Sequence, residues 1–151
     1  MSKCELLPRV VKYFSMREGG REKFKVIDIK ENMGHIHVNV KVLNLELSES
    51  EEVRLLVDTG STYTWIPEET LERVGIRRER AREFVTIEGK LVRRDIGMGI
   101  VELLGERAPT VLVFAAEGDA NVLGIHALDG LGLEFDPVRM ELRKVKAILA
   151  V

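Results

Sequence analysis

The sequence predicts a small, mainly β, closed barrel-like domain with two short helices. Its 151 residues suit one compact domain, because a chain of this length buries about two thirds of its unfolded surface. Many short runs alternate apolar and polar residues and are separated by turn residues, which is typical of strands. No long helical pattern competes with these runs.

Composition and charge exclude several classes of protein. Hydrophobic residues make up 45% of the chain, yet no apolar run is long enough to cross a bilayer. The formal net charge of -2 gives no electrostatic basis for binding nucleic acid. Cys4 is the single cysteine, which excludes an intramolecular disulfide and a cysteine-based metal centre. We therefore expect no membrane or nucleic-acid partner, no cofactor and no metal.

The chain is predicted to divide into an N-terminal extension, residues 1–23, and a folded domain, residues 24–151. The extension ends in the flexible stretch Glu18-Gly19-Gly20-Arg21, after which strand patterns begin. Its first residues lack the small-residue cleavage site of a secretory signal, so a cytoplasmic location is expected.

The first strands are predicted before the middle of the chain. Alternating segments at Phe24–Ile29 and His35–Leu43 flank the turn residues Asn32-Met33-Gly34, which predicts a β-hairpin. Val53–Val57 is a short apolar run with β-branched ends. The turn residues that begin at Asp58 favour a buried strand entering a tight loop.

A strand, a helix and a hairpin are predicted next. Tyr63–Ile66 is strand-like, and Pro67 at the first helical position leads into a helix over Glu68–Val74 that Gly75 terminates. Glu88 and Gly89 then form a polar turn, and Phe84–Ile87 and Lys90–Arg94 flank it as the strands of a projecting hairpin. The C-terminal half adds further strands around a second helix, Ile125–Leu131. These strands are Ile96–Val101, Thr110–Ala115, Val122–Leu123, Leu133–Phe135 and Met140–Val145.

Two segments carry candidate chemistry. Asp58-Thr59-Gly60-Ser61, after the apolar Leu55-Leu56-Val57, resembles the active-site loop of aspartic peptidases, although the same residue types also form ordinary turns. Asn121-Val122-Leu123-Gly124, followed by the second helix, resembles the apolar-apolar-Gly strand of the same family. The interval between the two segments leaves room for a flap hairpin.

Together these features resemble the retroviral proteases and their single-domain cellular relatives, the retropepsin-like aspartic peptidases, over residues 33–142. The resemblance implies an acid-protease fold and hydrolysis of peptide bonds by a water activated between two symmetry-related Asp58 carboxylates. Thr59 would lock the two loops together, and Gly60 would let the substrate backbone approach. Ser61 would hydrogen-bond Asp58 and lower its pKa, which implies an acidic optimum.

The resemblance also assigns supporting roles. Glu88, Gly89 and Lys90 would form the flap tip, and Leu123 and Gly124 would support the active site. The chain departs from the viral members of the family in two ways. Ile125 replaces an Arg that helps to join the viral dimers, and Gly89 is the single glycine at the flap tip, which is glycine-rich in the viral enzymes.

The expected partners are a second copy of the chain and a peptide or protein substrate. The sequence holds one Asp-Thr-Gly triplet, so a homodimer is needed to bring two aspartates together. The apolar C-terminal residues 147–151 are either part of the dimer contact or a packed terminus of the domain.

Other functions remain open at this point. The fold could serve as a catalytically silent peptide-binding or assembly module, although the intact Asp58 loop argues against it. A different hydrolase could pair Asp58 with another acid, and the candidates are Asp95, Glu102 and Asp136.

The histidines and large aromatic residues carry weaker signals. His35 and His37 lie two apart on a strand and could bind a metal with an acidic partner, but exposed strand histidines are the simpler interpretation. His126 is interpreted as a helix residue near the dimer contact. Tyr63 and Trp65 either pack in the core or shape a substrate cleft.

Overall fold

A computed structural model describes residues 11–18, 21–28 and 35–146 of the chain. These residues form eleven strands and two helices. In chain order the elements are β1 (Val11–Glu18), β2 (Arg21–Asp28), β3 (His37–Leu43), β4 (Ser50–Val57), β5 (Thr64–Pro67), α1 (Glu68–Val74), β6 (Arg80–Val85), β7 (Leu91–Leu103), β8 (Glu106–Ala115), β9 (Val122–Leu123), α2 (Ile125–Leu131), β10 (Leu133–Asp136) and β11 (Glu141–Lys144).

The strands form two sheets. The larger sheet has the order β3-β4-β9-β5-β8-β7-β6, and an additional pairing between β3 and β7 brings the sheet back on itself. The smaller sheet has the order β1-β2-β11-β10. This mainly β, barrel-like architecture with two short helices confirms the predicted fold class.

The core lies inside the larger sheet, beneath the two helices. Alternate residues of β3 point inward, and Val38, Val40 and Val42 are fully buried. Leu71 of α1 and Leu128 of α2 are also fully buried and belong to the same apolar cluster. Each such side chain contributes about 1.5–3 kcal/mol on burial, so this cluster fixes the sheet as a rigid base for the loops.

Both helices have the bounds that the sequence predicts. The helix α1 ends at Gly75, whose φ of 87° is in the left-handed region that suits glycine. The helix α2 ends in the same way at Gly132, with a φ of 70°. Pro67 is the N-cap of α1 and the last residue of β5, whereas the sequence predicted it as the first helical residue. Among the residues that the structure describes, no helix is long and apolar enough to cross a membrane.

The predicted projecting hairpin is present and is formed by β6 and β7. Thr86 N–H donates to the Lys90 carbonyl at 2.8 Å, and Gly89 takes a φ of 83° in the turn between them. The strand β7 is longer than predicted, because the two segments expected as separate strands run on without a break. Gly97 makes this course possible, since a Cβ there would lie 2.3 Å from the Arg77 carbonyl oxygen.

The hairpin predicted between the first two strand patterns is wrong. The strand β2 pairs with β1 and β11, whereas β3 pairs with β4 and β7. The two patterns therefore belong to different sheets, because β2 pairs with the preceding strand β1 and β3 pairs with the following strand β4. The turn residues expected to join them, 32–34, lie outside the described residues.

The predicted extension contains regular structure. The strand β1 and the start of β2 fall within residues 1–23, and β2 pairs with β11 through Phe24 and Leu142. The boundary at residue 23 stays a prediction, and the apolar C-terminal residues 147–151 lie outside the described part.

Candidate active site

Asp58 follows the last residue of β4, where a parallel strand fixes the backbone. Leu56 and Val57 pair with Val122 and Leu123 of β9. Asp58 N–H donates to the Leu123 carbonyl at 3.0 Å. The short strand β9 therefore sets the position at which the loop leaves the sheet.

The loop itself is a tight turn that orients the Asp58 carboxylate. Ser61 N–H donates to the Asp58 carbonyl at 3.1 Å. Gly60 N–H donates to Asp58 Oδ1 at 3.0 Å, so one carboxylate oxygen is held by the backbone. Thr59 and Gly60 are exposed at the apex of the turn, and Asp58 is half-buried. Among the predicted loop residues, Gly60 is therefore the one that holds the Asp58 carboxylate.

Gly124 is packed directly against the returning half of this loop. A Cβ at Gly124 would lie 2.3 Å from the Tyr63 carbonyl oxygen and 2.9 Å from that of Ser61. Ile125 N–H donates to the Ser61 carbonyl at 2.8 Å. Because backbone meets backbone here, only glycine fits at this position.

Thr64 is a supporting residue that sequence reasoning missed. Its side chain is fully buried, and its hydroxyl oxygen accepts a hydrogen bond from Gly124 N–H at 3.0 Å. A polar side chain within a buried strand requires a partner. A threonine within the predicted strand Tyr63–Ile66 was therefore the signal available in the sequence.

A cleft of about 320 Å³ opens between the Asp58 loop and the base of the hairpin. Phe84 of β6 contacts Tyr63 and Trp65 edge to face, with ring centroids 6.3 Å and 5.0 Å apart. Tyr63 and Trp65, which the sequence left open between the core and a cleft, therefore shape the cleft. The cleft is lined by Gly60, Ser61, Thr62, Tyr63, Trp65, Arg82, Glu83, Phe84 and Val85.

The family model described as "gag-polyprotein putative aspartyl protease" matches residues 43–129, which is more than half of the chain. The chain belongs to this family. The matched residues include the Asp58 loop, the β6–β7 hairpin and Gly124, so the segments on which the resemblance was based lie inside the match.

Comparison with solved structures gives the fold. The crystal structure of a retropepsin-like aspartic protease from Rickettsia conorii matches with a TM-score of 0.52 at 15% sequence identity. The match covers 91% of this chain and 96% of that chain. It confirms the retropepsin-like fold that the sequence predicted. No curated protein sequence matches the chain significantly.

The tip of the β6–β7 hairpin is apolar and exposed. Glu88, Gly89 and Lys90 form the turn as predicted. Ile87 is fully exposed, and the flanking Val85 and Leu91 are 69% and 63% exposed. Clustered exposed apolar side chains indicate a surface that a ligand or partner covers.

Ser61 does not have the contact that the family resemblance implied. Its hydroxyl donates to the Tyr63 carbonyl at 2.7 Å and not to the Asp58 carboxylate. Serine in a turn commonly bonds a backbone group two residues away, and this local bond takes the only hydroxyl proton. The expected acidic optimum therefore loses its physical basis in Ser61.

The other acids proposed as partners of Asp58 are bound elsewhere. Asp95 pairs with Arg78, and Glu102 pairs with Arg107. Asp136 accepts hydrogen bonds from two backbone N–H groups of its own turn. Each of the three acids is therefore already paired within its own part of the fold.

The histidines have no metal-binding arrangement. Within the described residues, no group of three or more His, Cys, Asp and Glu side chains lies close enough to hold a metal ion. His126 packs its ring against Tyr63 at a centroid distance of 5.5 Å, beside the loop.

An ion pair anchors the β6–β7 hairpin to the loop that precedes β9. Arg94 of β7 donates to both carboxylate oxygens of Asp119, at 2.7 Å and 3.0 Å. Ala116 N–H donates to the same carboxylate at 2.8 Å. The hydrogen bond from Arg94 is the main reason that the pKa of Asp119 lies below its usual value.

We expect Gly124→Ala to destabilise the protein and displace the Asp58 loop. The new Cβ would collide with backbone atoms that cannot rotate away, and overpacking of this kind costs about 1–3 kcal/mol. Urea unfolding measures the loss. The control is Gly130→Ala in α2, whose Cβ would lie 3.1 Å from the Ala108 Cβ and 4.0 Å from the Pro109 carbonyl oxygen. Equal stabilities for the two variants would contradict the close packing at Gly124.

We expect Asp119→Asn to lower stability at neutral pH by about 1–2 kcal/mol, because it removes a charge-assisted hydrogen bond. A carboxylate whose folded pKa is lowered stabilises the protein fully above its unfolded pKa of about 3.9. This contribution is lost as the pH falls through the folded pKa. The stability difference from the unmodified chain should therefore shrink below about pH 4. Urea unfolding across this range tests it, with Glu117→Gln in the same loop as the control.

Proposed function

We propose that the chain is one subunit of a homodimeric aspartic endopeptidase, in which a water molecule is activated between two Asp58 carboxylates. The observation that carries the proposal is the Asp58 loop. The Asp58 N–H donates to the Leu123 carbonyl, which holds the backbone, and Gly60 N–H donates to the Asp58 carboxylate, which orients that group beside a cleft. Membership of an aspartyl protease family supports the same chemistry.

Two carboxylates are required because amide hydrolysis needs a base and an acid. One ionised Asp58 takes a proton from the water as its oxygen bonds to the peptide carbonyl carbon. The other Asp58, which is protonated, donates to the carbonyl oxygen. The Asp58 that took the proton from the water then gives it to the nitrogen. The C–N bond breaks as the carbonyl re-forms and the other Asp58 recovers its proton. Like charges close together favour this shared-proton state, because both groups cannot easily ionise at once.

The second carboxylate comes from a second copy of the chain in this proposal. The sequence contains the Asp-Thr-Gly-Ser segment once. Thr59 and Gly60 are exposed at the loop apex, where a partner loop can approach. A two-fold axis between the two loops brings the carboxylates together and places Thr59 where its hydroxyl can bond the partner loop.

The substrate is an extended peptide held between the loop and the flap. An extended chain binds chiefly through its backbone hydrogen bonds, with pockets for alternate side chains. The exposed apolar side chain of Ile87, in the turn at the hairpin tip, suits a flap that closes over apolar side chains. Peptides with apolar residues at the scissile bond are therefore the substrates to test first.

We expect Asp58→Asn to abolish peptide cleavage while folding and dimerisation persist, because the amide keeps the shape and cannot exchange the proton. A loss of at least about 10²-fold is expected for a group of this role. Cleavage of a peptide library is the measurement, and Asp129→Asn on the exposed face of α2 is the matched control. Activity within about tenfold of the unmodified protein would sink the assignment.

We expect specific activity to fall on dilution, because each subunit holds half of the site. The fall should coincide with the dissociation of the dimer, followed by sedimentation across the same concentrations. A monomer that keeps full specific activity would refute the two-subunit mechanism.

A further inference from the structure

The cleft beside the Asp58 loop contains a cation that no carboxylate neutralises. Arg82 of β6 lines the cleft and is exposed. Its Nη1 donates to the Tyr63 hydroxyl at 2.6 Å, and its guanidinium carbon lies 5.2 Å from the centre of the Tyr63 ring. Among the described side chains, no ion pair involves Arg82, so the group is oriented by a neutral phenol.

Two other arginines, Arg78 and Arg94, have a different arrangement. Arg78 pairs with three carboxylates, and Arg94 pairs with both oxygens of Asp119. Their charges are neutralised within the chain and serve the fold. The positive charge of Arg82 can therefore interact with a ligand in the cleft. Most of its donors remain available, because a guanidinium carries five N–H groups.

Glu83 is the one acidic residue of the cleft lining, and its side chain belongs to the other face of the strand. It lies opposite Arg93 in the pairing of β6 with β7. Directly opposed residues share one face of a sheet, and successive residues alternate between faces. The face of Arg82 and Phe84 is therefore the face that meets the Asp58 loop.

The neighbours of Arg82 define the shape of a ligand that fits. Tyr63, Trp65 and Phe84 present aromatic surface along the cleft. The Tyr63 hydroxyl accepts from Arg82 and keeps its own proton, so it is a second donor at the same place. A short apolar stem that ends in a carboxylate matches this combination, and the glutamate side chain has that form.

We propose that Arg82, held by Tyr63, forms a subsite that selects peptides with a glutamate or aspartate close to the scissile bond. This inference rests on the proposed peptidase function, and it adds a charge preference to the apolar preference of the flap. Arg82 does not act on the scissile bond. It sets specificity by binding a substrate carboxylate through charge-assisted hydrogen bonds.

The test uses the full chain and short peptides that differ only by Glu or Gln at each position in turn. At one position, kcat/KM should be roughly tenfold higher or more for Glu than for Gln, since a hydrogen bond to a charged group has this effect. In Arg82→Gln the ratio should fall to about one. The control Arg93→Gln makes the same change on the other face of the hairpin and should keep the ratio.

The pH dependence provides a second readout. The preference requires an ionised substrate carboxyl, so it should hold at neutral pH and disappear as the pH falls below about 4. A general structural role of Arg82 would change both peptides alike and leave their ratio pH-independent. That result would overturn the inference.

Binding separates this inference from the peptidase proposal. The Asp58→Asn protein should bind the Glu peptide more tightly than the Gln peptide, by the same roughly tenfold factor, and Arg82→Gln should remove the difference. Preferential binding without cleavage by the unmodified protein upholds the subsite and overturns the peptidase. Cleavage with a ratio of one at every position overturns the subsite alone. If the peptides are neither bound nor cleaved, both proposals fail.

Discussion

The contact between the start of α2 and the loop after β4 is the interaction on which the candidate site depends. Gly124, Ile125 and His126 each direct a backbone N–H to an oxygen of residues 61–64. The packing is so close that no side chain fits at Gly124. The loop therefore has little freedom to move away from the sheet, and the Asp58 carboxylate is oriented before any substrate arrives. Such preorganisation is what electrostatic catalysis requires.

The parts of the fold that were predictable are those encoded locally. Glycines that must adopt a left-handed conformation mark the ends of both helices, and the turn at Gly89 marks the hairpin. The choice of pairing partner carries no such local mark, so β2 was assigned to β3, whereas it pairs with β1 and β11. The length of β7 was missed because the prediction broke the strand at Asp95, whereas the pairing with β6 continues through that residue.

The candidate site also combines features that the local sequence encodes with features that only the folded chain determines. The residues of the Asp58 loop were predictable because their sequence resembles a known motif, and Gly124 was predictable because it follows an apolar pair at a suitable distance. The hydrogen-bond partners of Ser61 and Thr64 were not, because a hydroxyl can turn towards several acceptors or donors and only the folded backbone decides among them. Arg82 gave no signal, since one arginine among many acquires meaning only from the cleft that surrounds it.

Trp65 is the one tryptophan in the sequence, and it lies against the base of the flap. Its indole is half-buried in the cleft wall, 5.0 Å from the Phe84 ring. The ultraviolet emission of the protein therefore originates almost entirely from the place where the flap meets the active-site loop. A change in the solvent exposure of Trp65, or in its distance from Phe84, alters the wavelength or intensity of that emission. Tryptophan fluorescence therefore reports on the contact between the hairpin and the loop.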